Sequence, residues 1–358
     1  MNKFRTLIHG IKRRKNSLEI KPRHVRCFKR LCESESDRKN IVITLGENER
    51  KDEIDTSIEL MRTVHTLPGT HSFEIYNKKQ TQFLFSIEER SVDRFQTLLH
   101  GWFPNFKSEI MGRAIPKITT NDFVSTSKLF LTSDNRLEIL NPLGPDPMSH
   151  DPYEEIVHES EKTPSETRIL IQIAYESVEQ NHHDSSECEV KRDVASGFNS
   201  LFDKDILTRS PKKYTSSLDD LTKNFCGNEK VAARLQSQKE EPIYTANIRL
   251  MAISQSRSTA ISTMRRISQT LENGYDDKQM GQGLRYKPVL NIGIPFHINK
   301  IIKCSVGTDW ESLKNLGQQS TTLTVPEIAS LVHFPSTTER GQFSFESESI
   351  KYHSSSDC

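Results

Sequence analysis

A metal centre or a phosphate cradle would be the first chemistry to look for, and three sets of residues are candidates. His24 lies near Cys27 and Cys32, His182, His183 and Asp184 lie near Cys188, and 15 glycines are available for a phosphate loop. Structural zinc takes four donors at paired spacing on a rigid frame, and neither His/Cys group contains a C-x-x-C pair or a fourth ligand, so no metal is expected. A G-x-x-x-x-G-K-[ST] loop needs two glycines five positions apart, because close backbone approach lets N–H groups cradle phosphate while the lysine supplies charge. No two glycines have that spacing. H-E-x-x-H, G-x-S-x-G and G-x-G-x-x-G are also missing, so neither a catalytic residue nor a cofactor site is expected, and the chain reads as a non-enzyme.

Composition narrows the partners. With 49 basic and 48 acidic residues, no global charge pulls the chain towards nucleic acid or an anionic membrane, and any DNA contact has to be local. Hydrophobic residues make up 34% and mean hydropathy is −0.62, which favours ordered modules separated by solvated stretches. No apolar run is long enough to span a bilayer and Met1 to Lys15 has no leader-like core, so a cytoplasmic protein with free thiols is expected. Phe4, Leu7, Ile8 and Ile11 at helical spacing, ahead of Arg13, Arg14 and Lys15, allow peripheral membrane contact.

The elements that would position any site come next. Residues 1–39 read as a basic N-terminal segment and 40–112 as a β-α-β-β-α-β module. In that module Ile41 to Leu45 is the first strand. Ile54, Ile58, Met61 and Val64 line a helix capped by Asp52 or Asp55, and Pro68-Gly69 ends it. The alternating runs Ser72 to Tyr76 and Thr81 to Ile87 form a hairpin, with Phe73, Ile75, Phe83 and Phe85 inward. Ser91 is expected to cap a helix carrying Phe95, Leu98, Leu99 and Trp102, and Phe106 to Met111 is the last strand.

Residues 113–165, punctuated by Asn141-Pro142, Gly144-Pro145 and Asp146-Pro147, read as a linker with one short hairpin. A second α+β module is expected over 166–335, with a helical insertion at about 188–240. Its strands are placed at 168–177, 243–254, 286–290 and 298–304, and its amphipathic helix at 259–271. Thr324 and Glu327 form a capping box for a helix with Ile328, Leu331 and Val332. Residues 336–358 read as a disordered tail. The fold class is therefore α+β, two ferredoxin-like modules with a helical insertion.

Three segments, Met61 to Ile110, Glu241 to Ala252 (EPIYTANIRLMA) and Leu323 to Pro335 (LTVPEIASLVHFP), resemble in order the N-terminal, non-motor region of the conjugation and type IV secretion ATPases of the HerA/FtsK superfamily. The resemblance implies a docking or assembly component for DNA transfer, partnered by a separate motor ATPase. In such proteins the segment equivalent to Leu323 to Pro335 leads into the motor, so Glu327, Leu331, His333 and Phe334 are the expected docking residues. A DNA-binding or regulatory protein reusing the same modules is the alternative.

Overall fold

The computed structural model describes residues 16–35, 37–44, 53–78, 81–104, 106–113, 115–131, 151–177, 242–275, 283–306 and 321–335. Along the chain these form β1 (Leu18–Glu19), α1 (Pro22–Ser34), β2 (Arg38–Thr44), α2 (Glu53–Val64), β3 (Thr70–Asn77), β4 (Thr81–Glu88), α3 (Val92–Trp102) and β5 (Lys107–Gly112). There follow β6 (Phe123–Leu131), α4 (Pro152–Glu161), β7 (Arg168–Ser177), β8 (Ile243–Ser254), α5 (Arg257–Gly274), β9 (Leu284–Pro288), α6 (Ile294–Lys303), β10 (Thr321–Thr324) and α7 (Val325–Leu331).

All ten strands join one antiparallel sheet. Its main path runs β5-β2-β4-β3-β7-β8-β6. The outer side of β6 carries both β1 and β9, and β10 pairs with the start of β8. The order is mirrored about the β3–β7 seam. On one side β2-α2-β3-β4-α3-β5 gives the spatial order β5-β2-β4-β3; on the other, β6-α4-β7-β8-α5-β9 gives β9-β6-β8-β7.

The alternation of the strands loads the two faces differently, since successive side chains point to opposite sides. One face collects Ile41, Phe73, Ile75, Phe83, Phe85, Ile171, Ile173, Ile248 and Leu250, packed with apolar residues of α2, α3, α4, α5 and α7. The other collects Tyr76, Leu84, Val124, Leu170, Met251 and Ile253 with Phe28 of α1 and Ile294, Ile298, Ile301 and Ile302 of α6. Each wholly buried side chain of this size is worth about 1.5–3 kcal/mol over an exposed one, so both faces contribute heavily to cohesion.

Local signals account for several boundaries. Ser256 caps α5 by accepting from the Thr259 N–H at 3.4 Å. Gly69, at φ +88°, turns the chain out of α2 in a conformation side-chain-bearing residues avoid, and a Cβ there would collide with the Glu88 carboxylate.

Four expectations change. Ser91 stands at the start of α3 but its side chain makes no capping hydrogen bond; a 3-10 turn at Glu89–Ser91 runs straight into the helix instead. The basic segment before residue 40 carries β1 and α1, both packed on the sheet. The stretch expected as a linker contains β6, an interior strand of the sheet, and α4. Residues 298–304, expected as a strand because isoleucine favours strands, lie mostly in α6, where Pro295 opens the helix and Ile294, Ile298, Ile301 and Ile302 share a face. The N-terminal helix spacing of Phe4, Leu7, Ile8 and Ile11 that allows peripheral membrane contact, the Leu137 to Leu140 strand of the hairpin expected to pair with Lys128 to Thr132, the 188–240 insertion and the 336–358 tail lie outside the described residues. Among the described residues no helix is long and apolar enough to cross a membrane.

Candidate functional site

The four expected docking residues converge, but inside the chain rather than on its surface. Glu327 accepts from the Thr324 N–H and hydroxyl at 2.8 Å each, completing the capping box that opens α7. Leu331 is buried, and its carbonyl accepts from Tyr153 Oη at 2.5 Å. His333 stacks on Tyr153 at 4.7 Å between ring centroids, with Nδ1 2.6 Å from the Ser330 carbonyl and Nε2 3.2 Å from Asp151 Oδ2. Phe334 sits edge-on among Phe73, Phe83, Phe85, Phe103 and Phe106, with centroids 4.8–6.3 Å away. An apolar anchor already enclosed on this scale has no face to offer a partner, so these residues hold the chain's own halves together. Trp102, by contrast, is exposed, with its indole N–H donating to Thr63 Oγ1 at 3.2 Å.

His24, Cys27 and Cys32 do not converge on a ligand. His24 Nδ1 accepts from the Lys21 N–H at 3.1 Å, at the start of α1. Cys27 is exposed, while burial pushes the Cys32 thiol up to about 11. The outer face of α1 instead lines a groove of about 500 Å³ with Arg23, Arg26, Cys27, Arg30, Leu31 and Ser34.

The α6 face of the sheet carries a polar row that the sequence reading did not find. Paired positions run Lys287, Lys128, Arg249, Gln172, Glu74 across β9, β6, β8, β7 and β3. Directly opposed residues of an antiparallel pair put their side chains on the same face, so this is one line of neighbours.

The Glu74 end is closed and neutralised. Its carboxylate accepts from Arg113 at 3.0 Å, from Ser72 Oγ at 2.8 Å and from Gln172 Nε2 at 2.8 Å, with both charged side chains almost wholly buried. Arg113 also donates to Asn40 Oδ1 at 3.2 Å and to the Ile301 and Ile302 carbonyls at 2.7 and 3.0 Å. Arg249 donates to Gln172 Oε1 at 3.1 Å and to the Ser305 carbonyl. The Arg113 bonds add side-chain donors to carbonyls of the last turn of α6, and Cys304, at φ 52°, turns the chain away there. A buried ion pair tied down on every side is a structural lock, with no approach for a reacting group.

The other end is cationic. Lys128 is opposed by Lys287 on one side and Arg249 on the other, while α6 brings His297 and Lys300 over the same region. Burial first, then Lys287, Lys300 and Arg249, bring Lys128 down to about 8. Burial first, then Arg249, Lys128 and Lys300, lower His297 well below the usual imidazole range. Neither ring nitrogen of His297 has a hydrogen-bond partner. Beside this end the turn into α6 exposes Ile292 (73%) and Phe296 (66%). Lys128 is remote in sequence from Lys287, His297 and Lys300; strand register sets it opposite Lys287, and the packing of α6 brings the other two over it.

No curated protein matches this chain. One family profile, described as Domain of unknown function (DUF8128), covers residues 35–342 and so takes in both mirrored halves, α6 and the α7 segment. With most of its length matched, the chain belongs to the DUF8128 family.

Proposed function

We propose that this chain is a non-catalytic assembly and docking scaffold, related to the N-terminal part of conjugation and type IV secretion ATPases, that works against a separate motor ATPase. The fold reading that accompanies this is two ferredoxin-like modules, β2–β5 and β6–β9, joined edge to edge through β3 and β7.

The seating of residues 321–335 is the observation that supports it most. The resemblance puts this segment beside the motor. Here β10 extends the sheet at β8, α7 packs on α2, and Phe334 closes the aromatic cluster of the β2–β5 half. A force applied at residue 335 would therefore be carried by both halves rather than by a hinge. The contact surface is then the exposed one: the α1 groove, Trp102 and the Ile292–Phe296 turn.

The test is size-exclusion and cross-linking of the full chain with a HerA/FtsK-type ATPase from the same source, alongside ATP-turnover assays of the chain alone. The reading expects a complex that Arg26→Glu with Phe296→Ser dissolves without lowering the melting temperature, and no turnover by the isolated chain. Turnover by the chain itself, or no association with such an ATPase, overturns it.

The α1 groove favours a second reading, DNA binding. Lys21, Arg23, Arg26, Lys29 and Arg30 precede the first acid of this helix, Glu33. On that reading, Arg26→Ala and Arg30→Ala each weaken duplex binding across all sequences and reduce the salt slope by about 1.

A further inference from the structure

We infer that the outer surface of the α1–α6 layer docks on an anionic phospholipid bilayer, with Ile292 and Phe296 entering the boundary between headgroups and acyl chains and Arg23, Arg26, Arg30 and Lys303 lying on the headgroups. This goes beyond the docking role and does not depend on it, since lipid binding needs no motor subunit.

Both helices pack on the same face of the sheet and on each other, so their outward sides look the same way. With about 3.6 residues per turn, α1 turns Val25, Phe28 and Cys32 towards the sheet and Arg23, Arg26 and Arg30 away from it. In α6, Ile294, Ile298 and Ile301 face inward, while Phe296 and Lys303 face outward. Five large apolar side chains stand exposed among the described residues, and three of them, Leu290, Ile292 and Phe296, fall at this one turn. Single exposed apolar residues are ordinary on any surface, but a local group of them marks a contact.

Charge selects the occupant. Residues 283–306 hold Arg285, Lys287, Lys300 and Lys303 and no acid, and the one acid of α1, Glu33, stands in its last turn. Among the described residues, Arg26, Arg30 and Lys303 are exposed and form no ion pair. The phosphates of a nucleic acid would engage the arginines but leave Ile292 and Phe296 in water, whereas an anionic bilayer takes up both kinds of side chain at once. Apolar insertion and attraction to acidic headgroups are each weak, and together they hold a protein at the interface. The groove of about 500 Å³ along α1, lined by all three arginines, has room for headgroup phosphates.

The full chain is floated with vesicles of phosphatidylcholine alone and of equal parts phosphatidylcholine and phosphatidylglycerol, and the melting temperature of each variant is recorded. Binding to the mixed vesicles is expected, weakened by salt and lower by about tenfold or more on phosphatidylcholine. Ile292→Ser with Phe296→Ser, and separately Arg26→Ser with Arg30→Ser, are each expected to lower the partition coefficient by about tenfold or more at unchanged melting temperature. Ile110→Ser, an exposed apolar position on the far edge strand β5, leaves it unchanged. Phe296→Trp reads insertion itself: its emission shifts to the blue on the mixed vesicles, beyond any shift of the parent chain. Equal binding to both vesicle types, binding to neither, or undiminished binding in the Ile292→Ser, Phe296→Ser variant overturns the assignment. Should that variant keep its vesicle binding and lose the ATPase complex, the surface belongs to the protein partner instead.

Discussion

The two mirrored halves share a strand order and differ in what they do with it. In the β2–β5 half, the helix-covered face is filled by phenylalanines and the opposite face is closed by the Glu74–Arg113 pair. In the β6–β9 half, the covered face is aliphatic and tyrosine-rich, and the opposite face carries Arg249, Lys128 and Lys287. The hairpin turn that joins β3 to β4 corresponds to the whole of residues 178–242 between β7 and β8. One strand order thus carries a closed, buried ion pair in one half and a row of basic residues in the other. Topology sets where side chains point, and side-chain chemistry decides what the face is for.

The strongest way to break this contrast is at the aromatic cluster. Phe334→Ala removes a ring held by five others and is expected to cost about 3–5 kcal/mol, and Leu99→Ala, in the same core, about 2–5 kcal/mol. Urea midpoints at unchanged m-value report both; a loss below about 1 kcal/mol for Phe334→Ala would falsify its role as the closure of that half.

Glu74→Gln probes the lock on the other face. It leaves the Arg113 guanidinium buried without its counter-charge and should cost about 3–5 kcal/mol. The double change Glu74→Gln with Arg113→Met should recover much of that, and a double-mutant cycle showing no coupling would make the pair incidental.

The seam itself should respond to acid. His71 of β3 faces Tyr175 of β7, its ring centroid 6.0 Å away, and burial, followed by Arg38, brings it down to about 4. As pH falls through the ordinary imidazole range near 6.5, the unfolded chain takes up a proton that folded His71 refuses. Stability is therefore complete above about pH 6.5 and declines towards pH 4, by on the order of 3 kcal/mol from this residue. Denaturation curves from pH 7.5 to 4.5 should flatten in His71→Phe, and an identical slope in the variant would remove His71 from the account.

The smallest effect is expected at the α7 cap, where Thr324→Ala should cost about 1 kcal/mol by equilibrium unfolding.

Where apolar periodicity was strong, the sequence displayed the fold. The Phe73/Ile75 and Phe83/Phe85 alternation marked the hairpin, Ile261, Met264, Ile267 and Leu271 marked α5, and Thr324 with Glu327 marked the start of α7. Only the end of β6 was legible, as the short strand from Lys128 on, because Ser125, Thr126 and Ser127 interrupt its apolar pattern and a polar strand before proline-rich stretches resembles a linker. α6 was misread because a run of isoleucines satisfies a strand pattern as well as a helical one. The basic row was not legible for a different reason: Lys287, Lys128 and Arg249 come from three strands, and their meeting depends on pairing registers that composition does not encode.

The position of Phe334 has a consequence for synthesis. During translation the five phenylalanines of the β2–β5 half are complete by residue 106, but the ring that covers them arrives only at residue 334. A nascent chain must therefore carry an open apolar socket through the making of the entire β6–β9 half. Release before α7 would leave that socket exposed, so shortened products should bind holdase chaperones or aggregate rather than persist as a folded fragment.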